Sequence, residues 1–181
     1  MKNVKKTITS VVEMVLIIAM TIGIFKFVVI PVRIEGVSME NTLFDKNIAL
    51  VNAIGVHKDN IKRFDIAIIY SEELDEKIIK RVIGLPGETI RYQNDVLYVN
   101  NELVEQDFLD PEFVENSKKI YNTELFTDDF EVTLKNDEYF MMGDNRLRST
   151  DSRELGPFVI EDIIGINGVV LFPFSNIQWM N

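Results

Sequence analysis

The chain has 181 residues, no Cys, one His and 29 acidic against 19 basic side chains, for a formal net charge of −10. That length suits one compact domain plus an appendage, and the lack of Cys excludes disulfide scaffolds, Cys-based metal sites and thiol nucleophiles. With 46% hydrophobic and 27% charged residues the composition is that of a folded protein, while the acidity argues against a nucleic-acid binder.

The charge is unevenly placed. Lys2, Lys5, Lys6 and Lys26 against Glu13 give residues 1–32 a local +3 and leave −13 for residues 33–181. From Val11 to Val32 the chain is apolar except for Glu13 and Lys26, about 33 Å as a helix, which matches the hydrocarbon thickness of a bilayer. The uninterrupted centre, Met14 to Phe25, is short enough for a cleavable signal peptide. No small-x-small cleavage pattern follows it, and Lys26 stands where its stem can snorkel to the interface, so residues 11–32 are expected to be a retained transmembrane anchor. The three lysines of residues 1–10 predict a cytoplasmic N-terminus by the positive-inside rule, with residues 33–181 outside the cytoplasm.

Beyond the anchor, short β-branched and aromatic runs bounded by Asn, Asp, Gly and Pro predict a mainly β domain. The expected strands are Ile48 to Val51, Asp65 to Tyr70, Lys77 to Ile83, Thr89 to Tyr92, Val96 to Val99, Phe130 to Leu134, Tyr139 to Met142 and Ile163 to Phe172. Asn100-Asn101 suits a tight hairpin, because Asn tolerates positive φ, and Pro86-Gly87 suits a type II turn. The acidic stretch 105–131 shows weak periodicity and reads as a solvated surface excursion.

Three segments carry chemistry-bearing residues. His57, the one candidate for a Ser-His-Asp arrangement, lies among turn formers and reads as a surface residue. Clustered metal ligands are absent, so no metal or cofactor is expected. In Lys77-Ile78-Ile79-Lys80-Arg81-Val82-Ile83, period two puts Lys80 on one face with Ile78 and Val82. An ordinary lysine is neutral in about one molecule in 2,500 at pH 7. Desolvation against aliphatic neighbours can supply the shift a base needs, but a Lys at the edge of a strand is usually just exposed, and the pattern alone is weak. Ser38 follows Gly36-Val37 directly beyond the anchor, and a dense polar run from Gly143 to Gly156 follows the strand Tyr139 to Met142. Each of these alone also reads as an ordinary loop.

Taken together the segments resemble the type I signal peptidases, membrane-anchored Ser-Lys proteases that cleave signal peptides from exported proteins. The resemblance spans nearly the whole chain: Gly36-Val37-Ser38-Met39 with Thr42-Leu43, Arg63-Phe64-Asp65-Ile66, Lys80 through Glu88, and Gly143-Asp144-Asn145-Arg146 through Ser149, Asp151-Ser152-Arg153 and Gly156, in that order. It implies a signal-peptidase or LexA-like antiparallel β-sheet catalytic domain over residues 33–181, with about 88–137 as a smaller inserted β region. It also implies that Ser38 is the nucleophile, Lys80 its general base, Ser149 a hydroxyl that hydrogen-bonds the lysine, and Asp151 and Arg153 a supporting pair. Gly36 stands where some members carry a second oxyanion-binding Ser hydroxyl, so a backbone N–H must substitute there or one donor is lost. Asn41 replaces the usual Pro of the nucleophile box. Ile34, Met39, Ile68 and Ile79 match the residues that form shallow pockets for small side chains at substrate positions −1 and −3, which fits Ala-x-Ala sites.

The expected partners are therefore signal peptides of exported preproteins and membrane lipid, without nucleic acid. Phe158, Phe172, Phe174 and Trp179 are candidates for an interfacial apolar surface. A LexA-like self-cleaving protein would place a DNA-binding helical domain where this chain has its apolar span. A catalytically inactive anchored paralogue that binds exported chains is usually marked by loss of the nucleophile or the lysine, and both are present here.

Overall fold

The computed structural model describes residues 2–27, 29–54 and 56–180, and side chains from residue 6 onward except for 24–28 and 55. The side chains of Lys2, Lys5 and Lys26, invoked above for orientation and snorkelling, lie outside the described residues. Helix α1 (Lys2–Phe27) leads into twelve strands: β1 (Val29–Arg33), β2 (Ile48–Asn52), β3 (Ile66–Ser71), β4 (Glu76–Gly84), β5 (Thr89–Gln93), β6 (Val96–Val99), β7 (Glu102–Val104), β8 (Phe130–Thr133), β9 (Glu138–Met142), β10 (Phe158–Val159), β11 (Ile163–Phe172) and β12 (Gln178–Met180). Two further helices are α2 (Pro111–Tyr121) and α3 (Ser152–Leu155). The architecture is mainly antiparallel β, as expected.

The apolar run expected to form one span over residues 11–32 is divided. The helix starts earlier, at Lys2, and ends at Phe27, and residues 29–33 pair with β2 instead. The local reason is Val28-Val29-Ile30-Pro31, a β-branched run closed by a proline that disfavours α conformation at the residue before it. Pro31 is tolerated because β1 is an edge strand, where a missing N–H costs no ladder bond. Upstream, the 18 residues Lys6–Gly23 have a mean hydropathy of 1.6 and none is buried against the rest of the chain.

The larger sheet runs β1-β2-β11-β3-β4-β9-β10, with β12 added to β11. Strand alternation feeds a core on each side of it. Ile66 and Ile68 pack with Ile34, Met39, Leu43 and Val51, whereas Ala67 and Ile69 pack with Ile78, Val82, Tyr139 and Met141. Each buried aliphatic side chain contributes about 1.5–3 kcal/mol relative to exposure.

A second sheet, ordered β7-β6-β5-β8, joins the first through Ile83, Ile90, Tyr92, Leu97, Phe140 and Met142. Gly84 permits that approach, since a Cβ there would meet Ile90 and Leu134 side-chain carbons at 2.7 Å. Both expected turns form. Asn100 and Asn101 have φ of 51° and 68°, and Gly87, at φ 81°, lets the Glu88 N–H reach the Leu85 carbonyl at 3.2 Å.

Two expectations need correction. The stretch 105–131 is no plain excursion: it contains α2, whose N-terminus is capped by Asp110 accepting from the Glu112 N–H at 2.8 Å and which ends at Asn122 in the left-handed region. Asp95 then ties the segment down, accepting from the Phe126 and Thr127 N–H groups at 2.8 Å each and pairing with Lys118. Phe158 is buried among Tyr139, Met141 and Ile163, so it adds nothing to an interfacial surface. Phe172, Phe174 and Trp179 are exposed, Phe174 and Trp179 by three-quarters or more.

Candidate active site

Three chain segments meet at the end of the central strands. The first leaves β1 and turns at Gly36, whose φ of 86° is a left-handed value that glycine adopts without strain. A tight turn then forms as the Leu43 N–H bonds the Met39 carbonyl at 2.7 Å, and the buried side chains of Met39 and Leu43 fasten that turn to the core. Ser38 sits between the two. The second segment is β4, which carries Lys80. The third is the loop after β9, from Gly143 to Asp151.

Hydrogen bonds stitch the first segment to the third. The Asn145 N–H donates to the Ser38 carbonyl at 3.0 Å, and Asn145 Nδ2 donates to the Val37 carbonyl at 3.2 Å. Behind them Arg81, which neighbours Lys80 on the strand but points the other way, forms a buried bidentate pair with Asp144 at 2.8 and 2.9 Å. The Thr42 hydroxyl also donates to Asp144. Charge-assisted bonds thus hold the Ser38 loop, the lysine strand and the polar loop in one register.

Lys80 Nζ donates to Ser38 Oγ at 2.8 Å. Only 3% of Lys80 is exposed. Burial pulls its pKa down to about 8, against an upward pull from Asp151 and a further downward one from Arg153. Asp151 is itself buried, which opposes its ionisation. The Arg153 guanidinium, 2.9 Å away, and the Gly143 N–H outweigh this and hold its carboxyl below the usual range. Asp151 also caps α3 by accepting from the Arg153 N–H.

The expected site residues are brought together with two differences. Ser149 is buried beside Gly143 and its Oγ makes no hydrogen bond to the lysine; its hydroxyl stands instead near Asp151, whose carboxyl it helps to hold down. The Gly36 N–H, expected to stand in for a missing oxyanion donor, already donates to Asp45 Oδ1 at 3.1 Å. Ile34, Met39, Ile68 and Ile79 line one cleft of about 640 Å³ together with Ser38 and Lys80. Arg148 and Thr150 also line it, unanticipated from the sequence because a loop's facing side cannot be read from its composition. His57 is exposed.

Gly143 is the residue whose importance the motif left unstated. A Cβ there would stand 2.2 Å from Ser149 Oγ and 2.5 Å from the Ser38 carbonyl oxygen. In the sequence it stood only as the first residue of the Gly143-Asp144-Asn145-Arg146 segment, directly after an apolar strand.

The family model described as Signal peptidase, peptidase S26 matches residues 7–172. Curated relatives include Signal peptidase I P of Bacillus subtilis subsp. natto, 39% identical over 165 residues, which covers 91% of this chain and 88% of that protein. Signal peptidase I U of Bacillus subtilis (strain 168) is 38% identical over 180 residues, covering 98% and 95%. Among solved structures, a signal peptidase I from Enterococcus faecalis V583 is similar with a TM-score of 0.52 and 33% identity, over 59% of this chain and 96% of that one.

Proposed function

Because the chain belongs to the signal peptidase I family of serine endopeptidases, we propose that it removes signal peptides from exported preproteins with Ser38 as nucleophile and Lys80 as general base. The observation that carries this reading is the 2.8 Å contact between Lys80 Nζ and Ser38 Oγ with the amine buried. With its pKa near 8, about one lysine in eleven is neutral at pH 7. The neutral amine takes the hydroxyl proton as Ser38 Oγ attacks the scissile carbonyl. The developing oxyanion lies against the Ser38 backbone N–H. Lys80 then returns the proton to the departing amine of the mature chain, and deprotonates the water that hydrolyses the acyl-enzyme.

Small side chains at positions −1 and −3 suit the aliphatic walls formed by Ile34, Met39, Ile68 and Ile79. From Glu76 to Lys80, β4 is paired on one side by β3, and β9 joins it only from Arg81 onward. An extended substrate segment can therefore add to that edge with its carbonyl at Ser38.

The test is cleavage of a preprotein with an Ala-x-Ala site by the detergent-solubilised enzyme between pH 6 and 10. Protonated Lys80 is inactive and loses its proton as pH rises, so the rate should climb about tenfold from pH 7 to pH 9 and level off above the midpoint near 8. A flat profile, or a fall through that range, would remove Lys80 as the base. Binding without cutting would favour the inactive paralogue, for which no observation here speaks.

For membrane placement the reading rests on the uncovered apolar helix and on the exposed Phe172, Phe174, Ile177 and Trp179. We propose the apolar part of α1 as the single span, with residues 1–10 cytoplasmic and residues 33–181 as an extracytoplasmic catalytic domain. Protease added outside intact cells should degrade that domain. Full protection until the membrane is permeabilised would reverse the orientation.

A further inference from the structure

Arg146 is almost completely buried, at 2% exposed, yet every acceptor of its guanidinium is neutral. Nε donates to the Gly143 carbonyl at 3.0 Å. One terminal nitrogen donates to the Tyr92 hydroxyl at 2.8 Å and the Thr127 hydroxyl at 3.1 Å, and the other to Gln106 Oε1 at 2.9 Å. Tyr92 lies on β5, Gln106 follows β7 and Thr127 precedes β8. Three of these four bonds thus reach the second sheet and its connections, and the fourth returns to the glycine that separates Ser38 from Ser149. The carbonyl of Arg146 itself accepts from Arg153 at 2.8 Å, which ties the same point to the Asp151 pair.

A buried guanidinium without a carboxylate is costly, and it is held only where all its donors find good acceptors. Here three of the four acceptors come from the second sheet and its connections, which supply no residue to the cleft. The acceptors are also mutually braced, since the Tyr92 hydroxyl donates to Gln106 and the Arg146 guanidinium lies 5.2 Å from the Tyr92 ring centre. A planar fork with fixed donor directions converts the position of that sheet into the position of one carbonyl.

Resting on the Ser38–Lys80 reading, we infer that Arg146 is a positioning residue through which the second sheet, by Tyr92, Gln106 and Thr127, sets the Gly143–Ser149 loop against the nucleophile. The inserted sheet is in this view part of the catalytic apparatus, acting at one remove. Loosening the fork lets the Gly143 carbonyl drift, and a drift of about 1 Å at the reacting groups costs on the order of a hundredfold in rate.

The experiment uses the full chain in detergent with a preprotein substrate. Arg146→Lys keeps the charge and loses the fork; it should lower kcat ten- to a hundredfold with KM within about twofold. Tyr92→Phe with Gln106→Met, on the other side of the contact, should give a similar kcat loss. All three substitutions combined should be little worse than either set, because one interaction is removed twice. Ile163→Val, in the core of the larger sheet and lining neither the fork nor the cleft, should lower Tm and leave kcat near wild type. The inference is overturned if Arg146→Lys retains wild-type kcat, if the two sets multiply independently, or if Ile163→Val loses kcat in proportion to Tm. Ser38→Ala run alongside separates the two readings: activity in that variant sinks the Ser–Lys mechanism, whatever Arg146 does.

Discussion

Ser38→Ala and Lys80→Met should each reduce kcat for preprotein cleavage by about 10⁴-fold or more, with secondary structure and Tm close to wild type. Removing a nucleophile or its base disables a unit, so each change should cost nearly as much as both together. The fold should tolerate both. Ser38 Oγ makes its contact with the lysine alone among the described residues, and Lys80→Met replaces a buried amine with an apolar chain of similar length, which removes a desolvation cost rather than adding one. Lys80→Arg should be equally inactive, because a guanidinium stays protonated at any working pH and cannot accept the Ser38 proton. Turnover within tenfold of wild type in either Ser38→Ala or Lys80→Met would take that residue out of the mechanism.

Gly143→Ala should lower kcat by at least about a hundredfold, although it adds only a single methyl group. The new Cβ would lie 2.2 Å from Ser149 Oγ, 2.6 Å from Ser149 Cβ and 2.5 Å from the Ser38 carbonyl oxygen. A flexible side chain could yield, but two of these three atoms belong to backbone or to the root of a side chain. The Ser38 carbonyl is further held by the Asn145 N–H. Relief therefore moves the nucleophile loop as a whole and draws Ser38 Oγ off Lys80, and a shift of about 1 Å costs on the order of 10². Adding Ser149→Ala should not restore activity, since it removes only the hydroxyl and leaves Cβ and the Ser38 carbonyl in the way. A double variant with wild-type kcat would show that the crowding is confined to that hydroxyl. Substrate affinity should change less than kcat in Gly143→Ala, because the cleft walls Ile34, Met39, Ile68 and Ile79 do not include the glycine.

The fold was most legible where the physics is local. The run Val96 to Val99 announced a strand by β-branching and aromaticity, and the Asn100-Asn101 pair announced its turn because both residues accept positive φ. Pro86-Gly87 worked for the same reason. The stretch 105–131 was less legible, since α2 is short, Ser117 is the only one of its residues that is buried, and acidic side chains dominate the composition around it. Its ends are set by the Asp110 cap ahead of Pro111 and by Asn122 in the left-handed region. The apolar run after Val11 misled in a different way. Hydrophobicity alone does not distinguish bilayer from sheet, and only Pro31 marked where residues 29–33 leave the helix for β2.

By its own order of residues the chain determined its chemical inventory: an apolar helix behind a basic head, a serine beyond a glycine turn, one lysine set among aliphatic strand residues, and a polar loop rich in arginine and aspartate. Those are properties of neighbours along the backbone, where periodicity and turn chemistry act. Tertiary structure alone decided that Lys80 Nζ meets Ser38 Oγ across 42 positions of sequence, that Ser149 packs against Gly143 without bonding the lysine, that Asp45 takes the Gly36 N–H, and that Arg146 reaches into a second sheet. These contacts depend on which strands pair and which side chains share a buried volume. Burial is also what brings the Lys80 pKa down to about 8, because desolvation is set by everything packed around the amine and not by the nine residues of its strand alone.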